Sequence, residues 1–301
     1  MPTTTLDLRR NLRDSIDADI AERTKAHQAR IAGLKVGAAN LMLAKAPAAA
    51  APLVMLAHGD SWFDYPLDGN GISLGTTDVV AQLTGMGAIN PVVLNLSHFG
   101  DATTDEMSLP KQQRMIQALT DPANWAASGK PDAILFSGGG NDIAGERFCI
   151  FLDYNTAGST GLDPKRFADM LGMIEGSYLD LFSFRDQYAP GVPVFGHDYD
   201  FPIPNGAHPI CAGPWLQPSL VYRGWTNLAD GTRIVRDALI AFNTLLTRLA
   251  ADPANDFHLV PTQGTLAPPD WANELHPYPT GFKAIAAKFV AALAQSFPGR
   301  I

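Results

Sequence analysis

The stretch HGDSWFDYP at residues 58–66 sets Ser61 just after the apolar run LVMLA (53–57) and beside three aromatics, Trp62, Phe63 and Tyr65. A plain turn would use Gly59 and Asp60 without calling for the aromatics. A serine hydroxyl becomes a nucleophile when a base takes its proton, and histidine is the usual base near neutral pH. His276, in NELHP (273–277), offers that base. The tetrahedral intermediate of acyl transfer also needs hydrogen-bond donors for its oxyanion. Three are at hand: the N–H of Ser61, where Gly59 lets the chain turn; the bare N–H of Gly100 in NLSHFGDAT (95–103); and the side-chain amide of Asn141 in FSGGGNDIAG (136–145). Each also has a purely structural reading. Ser61 and Gly100 can be turn residues, Asn141 a turn cap, and His276 a structural histidine.

The elements that must position these residues alternate along the chain. Apolar runs at 53–57, 91–97, 132–138, 192–198 and 257–262 read as strands. Between and after them, 78–87, 104–120, 164–189, 230–250 and 279–297 read as helices. Such alternation predicts βαβ units, hence an α/β fold: a three-layer α/β/α sandwich on a five-stranded, mostly parallel sheet of flavodoxin-like order. In such sheets ligands bind beyond the carboxyl ends of the strands, where Ser61, Gly100 and Asn141 all fall. Residues 14–44 read as one more helix and APAAAAP (46–52) as a linker. The division is therefore an N-terminal helical arm and linker, 1–52, and a catalytic domain, 53–301. The arm either docks on the domain or serves as a dimerisation helix. Two segments, 143–163 and 201–229, interrupt the alternation and read as lid-like insertions. Trp62, with Trp215 and Trp225 of the second insertion, are candidates for the walls of the substrate crevice.

The blocks resemble those of the GDSL or SGNH hydrolases. GDSW (59–62) is similar to the family's first block, with Trp62 where leucine is more usual. NLSHFGDAT is similar to the second, GGND (139–142) to the third and NELHP to the last, in family order from about residue 53 to 297. The resemblance implies the three-layer fold, hydrolysis of esters and thioesters, and no metal or cofactor. It makes Ser61 the nucleophile, His276 the base, and Ser61, Gly100 and Asn141 the oxyanion donors. The chain departs from the pattern at Asn273, which stands where the family has the triad aspartate. The group that orients His276 is then Asn273 itself or a carbonyl of 268–272, with Asp270 as the alternative acid. Glu274, two residues from His276, is expected to point away from it.

Composition narrows the rest. A net charge of −8, a pI near 5.3 and no Lys/Arg cluster exclude a nucleic-acid footprint. The most apolar long window, 36–57, carries Lys45, Pro47 and Pro52 and makes a poor membrane span. The N-terminus lacks the apolar core of a secretory signal, so a cytoplasmic location is expected. Cys149 and Cys211 are expected as free thiols. HDYD (197–200) has one histidine and two carboxylates, too few for a metal site, and reads as a hydrogen-bonded network. GGGND lacks the Lys-Ser/Thr of a phosphate loop. The expected activity is a serine esterase on a small-molecule or lipid ester. The alternatives are acyl transfer to a sugar or alcohol in the same site, and a silent binding protein. Acyl length and oligomeric state stay open.

Overall fold

A computed structural model describes residues 5–44, 50–67, 77–126, 128–210 and 212–301, with side chains from residue 14 onward. Five strands, β1 (Val54–Gly59), β2 (Val92–Asn95), β3 (Ala133–Ser137), β4 (Val194–His197) and β5 (Phe257–Val260), form one parallel sheet in the order β2-β1-β3-β4-β5. Every residue of β1, β3 and β4 is buried, as expected of a parallel sheet covered on both faces. The register pairs Gly59 with Ser137 and His197 with Val260, so the strands end close together.

The helices are α1 (Thr5–Leu43), α2 (Val79–Leu83), α3 (Thr103–Glu106), α4 (Leu109–Thr120), α5 (Gly140–Ile143), α6 (Pro164–Tyr188), α7 (Gln217–Tyr222), α8 (Leu228–Ala251) and α9 (Pro279–Ser296). Their starts carry ordinary signals. Asp163 accepts from Arg166 N at 2.7 Å ahead of Pro164, and Asn227 accepts from Ala229 N at 2.8 Å. The helix expected over 104–120 is split in two. Pro110 has no N–H to give the Glu106 carbonyl four residues back, so the helix cannot run through it. The His58 ring takes that carbonyl instead, Nε2 to O at 2.8 Å.

The arm docks. Ile20 and Ile31 of α1 are buried, His27 Nε2 lies 2.7 Å from Asn124 O, and Arg23 pairs with Asp64 at 2.8 Å. Of the expected linker, 45–49 lie outside the described residues, as does Cys211. Cys149 is a free thiol. No helix among the described residues is long and apolar enough to cross a membrane.

The two insertions pack on each other. Trp225 Nε1 donates to Asp153 O at 2.8 Å, Arg223 Nε to Cys149 O at 2.9 Å, and Gly145 N to Trp215 O at 2.9 Å.

Candidate active site

Ser61 sits two residues beyond the end of β1. The strand stops there because Gly59 adopts φ +153°, and a Cβ at Gly59 would lie 2.5 Å from Ser137 O. Only glycine lets β1 run this close to β3 before turning. Asp60 then holds the turn. Its carboxylate accepts from Trp62 N at 3.0 Å, Ser137 Oγ at 2.8 Å and Tyr199 OH at 2.6 Å. Burial pushes the Asp60 carboxyl up to about 6.

His276 comes from the loop ahead of α9, and its Nε2 lies 2.7 Å from Ser61 Oγ. The other ring nitrogen faces Asn273, Nδ1 to Oδ1 at 3.2 Å. Oδ1 of Asn273 also accepts the N–H groups of Leu275 at 3.0 Å and His276 at 2.9 Å, while its Nδ2 donates to Tyr65 OH at 3.2 Å. Two backbone donors on Oδ1 settle which way the amide points. Nδ1 must then carry the proton, which leaves Nε2 bare to accept from the serine hydroxyl. The Tyr65 ring lies 4.3 Å from the imidazole, centroid to centroid, and Trp215 meets it edge-on at 5.4 Å. Burial lowers the His276 pKa to about 3, so the ring is neutral at pH 7.

The loops after β2 and β3 are tied together. Asn141 Nδ2 donates to Asp101 O at 2.9 Å, and the Asp142 carboxylate accepts both Thr103 N and Thr103 Oγ1 at 2.9 Å. This places Gly100, at φ +85°, on the loop held by Asn141. No hydrogen bond from the N–H of Ser61 or Gly100 is found among the described residues. Asn141 Nδ2 keeps a second hydrogen for another acceptor.

Ser61, Asn141 and His276 line one apolar cavity of about 40 Å³ together with Trp62. Gly100 is exposed and lies in a separate groove with His98 and Phe99, not in the cavity lined by Ser61. Asp270 turns away from the histidine, its Oδ2 capping Ala267 N at 2.8 Å. Of the three tryptophans expected as walls, only Trp62 lines the cavity; Trp215 meets the His276 ring edge-on, and Trp225 is buried between the two insertions. The HDYD residues are satisfied by hydrogen bonds. Asp198 accepts from Thr262 N and Oγ1 at 2.7 Å, Asp200 from Gly264 N and Leu266 N at 2.6 Å, and His197 Nε2 lies 2.9 Å from Ser137 Oγ. No group of three metal-ligating side chains is found among the described residues.

Two residues of the site had no sequence signal. Tyr65 was visible only as one more aromatic after the serine. Glu274 does point away from His276, and it ends in a cluster of backbone N–H groups from the second insertion: Gly206 at 2.9 Å, Trp215 at 2.6 Å, Leu216 at 2.8 Å and Gln217 at 3.0 Å.

No family model matches the chain, and no curated protein does. Solved structures do. A lipase from a goat rumen metagenome shares 16% identity over 80% of this chain and 97% of its own, with a TM-score of 0.52. An extracellular lipase from Streptomyces rimosus shares 16% over 79% and 98%, at 0.48. A member of the lipolytic G-D-S-L family from Veillonella parvula shares 13% over 82% and 98%, at 0.46. At these identities the likeness speaks for the fold alone: this α/β fold on a five-stranded parallel sheet is similar to that of the goat rumen lipase.

Proposed function

We propose that the protein is a serine hydrolase that cleaves carboxylic esters through an acyl-enzyme. The observation that carries this reading is the 2.7 Å contact from Ser61 Oγ to a His276 Nε2 whose tautomer is set by Asn273. Nucleophile, base and orienting group lie in one hydrogen-bonded line beside an apolar cavity.

The chemistry runs in two halves. Ser61 Oγ attacks the acyl carbonyl while its proton passes to His276 Nε2. The Ser61 N–H, the Gly100 N–H and the Asn141 amide receive the oxyanion. The intermediate collapses, the C–O bond to the alcohol breaks, and His276 Nε2 returns the proton to the leaving alkoxide. Water, deprotonated by His276, then attacks the acyl-serine, and the acid departs with Ser61 restored. Asn273 orients the ring throughout but brings no charge to the imidazolium, and burial lowers the basicity of His276.

The test is p-nitrophenyl acetate turnover by wild type and Ser61→Ala, with and without an added alcohol. Intact-mass detection of a Ser61 adduct after a fluorophosphonate accompanies it. Hydrolysis and labelling that both vanish in Ser61→Ala support the reading. Ester product made only when the alcohol is present would assign acyl transfer instead. Wild-type activity in Ser61→Ala would overturn the mechanism.

A further inference from the structure

The cavity behind Ser61 has walls that say what it admits. Ile143 and Ala144 close one side. Val235 and Leu239, one helical turn apart on α8, close another. Leu216, from the second insertion, and Leu275 complete it. Ile143, Leu216, Val235 and Leu239 are each 4% exposed or less, so the walls are packed side chains with little room to give. The space is about 40 Å³. A space of this size suits a short acyl group better than a long chain. No charged side chain opposes an alkyl group inside it, since the Asp60 carboxylate is occupied by three donors and Asp200 by backbone N–H groups.

One wall is carried by a strap that a single side chain fastens. Leu216 belongs to the second insertion, whose backbone gives four N–H groups to the fully buried Glu274 carboxylate, while Glu274 N donates to Ala207 O at 3.0 Å. Glu274 lies between Asn273 and His276, so the residue that fastens the wall belongs to the loop that carries the base. A carboxylate that accepts four N–H bonds matches the strap in a way a neutral amide cannot, because an amide would turn N–H groups toward N–H groups.

We propose that the site takes esters of short unbranched acids, acetyl and propionyl, and that Glu274 is the positioning residue that sets this limit by holding Leu216 over the cavity. The proposal rests on the serine-hydrolase reading above. The alcohol part of the substrate lies outside the cavity and is not restricted by it.

The test is the chain-length profile of kcat/KM on p-nitrophenyl esters from acetate to octanoate, for wild type, Leu216→Ala and Glu274→Gln. One surplus methylene in an apolar pocket costs about 10–200-fold. Wild type should therefore favour acetate or propionate over octanoate by at least about 100-fold. Leu216→Ala should cut that ratio about tenfold or more by enlarging the cavity. Glu274→Gln should move it the same way, which a purely structural role would not do. If Glu274→Gln does not fold, Leu216→Ala decides the cavity. Octanoate turnover within about tenfold of acetate in wild type, or an unchanged ratio in Leu216→Ala, overturns the proposal. Fluorophosphonate labelling of Ser61 separates the two levels. Labelling with a flat profile sinks the short-acyl limit alone, whereas no labelling and no turnover of any ester sinks the hydrolase reading and this proposal with it.

Discussion

Asn273→Asp places a negative charge 3.2 Å from His276 Nδ1 without altering the shape of the loop. The two backbone N–H groups that now bond Oδ1 will bond a carboxylate equally well. Tyr65 OH, which now accepts from Nδ2, can donate to the new oxygen. An opposite charge at this range shifts a pKa by about 1–3 units. The His276 pKa should then rise from about 3 to between about 4 and 6. The direction of the effect on rate follows. A folded-state pKa below the ordinary histidine value keeps the base neutral well into acid, so wild-type kcat/KM should hold almost to pH 4. In the variant the base is protonated sooner as pH falls, and the acid limb moves up by about 1–3 pH units. Above that limb the variant should be faster, because the charge favours the imidazolium formed in the transition state. About 1–3 units of pKa correspond to roughly 1.4–4 kcal/mol, or about 10 to 1,000-fold if the whole effect is felt there. In the Ser-His-Asp triad of serine proteases the reverse change, aspartate to asparagine, costs roughly four orders of magnitude, part of it through the wrong tautomer. Here Asn273 already sets the right tautomer, so only the electrostatic part is gained. The assay is kcat/KM on p-nitrophenyl acetate across about pH 3 to 9, with folding checked by circular dichroism. An unmoved acid limb in a folded Asn273→Asp protein would refute the assignment of Asn273 as the group facing the base.

Asn141→Ala should lower kcat by about two to three orders of magnitude with KM little changed, as loss of one oxyanion donor does. A raised KM with kcat intact would make Asn141 a substrate-binding residue. Asp270→Ala should leave kcat/KM within about threefold, since its carboxylate caps Ala267 N and loses only a local bond worth about 1 kcal/mol. A loss as deep as that of His276→Ala would make Asp270 the triad acid. Trp225→Ala should cost about 3–5 kcal/mol of stability in urea unfolding while leaving the chain-length profile unchanged, because the indole packs between the insertions. A shifted profile without that loss would return Trp225 to the crevice.

Local chemistry was legible from the chain alone. Apolar runs of strand length and helical spacing predicted all five strands and their parallel sheet, because burial on both faces leaves a mark on each strand. Ser61 and Asn141 were legible as neighbours because the blocks follow one another in order, and both line one cavity, whereas Gly100 lies exposed in another groove. His276 was legible for the same reason. The helix over 104–120 was read too long, since helical periodicity persists across Pro110 although the hydrogen bond there cannot form.

What only the tertiary structure decided was which polar atoms meet. Three groups stood as candidates beside His276, and spacing could not rank them, because a loop's course depends on what it packs against. The fold turns Asp270 back onto Ala267 and Asn273 onto the imidazole. Trp215 and Trp225 looked alike in sequence, yet one lies against the base and the other is sealed between the insertions, since an aromatic advertises burial but not its partner. Glu274 was silent for a stronger reason. Its partners are backbone N–H groups, which every residue but proline possesses, so no side-chain pattern can announce a carboxylate that binds them.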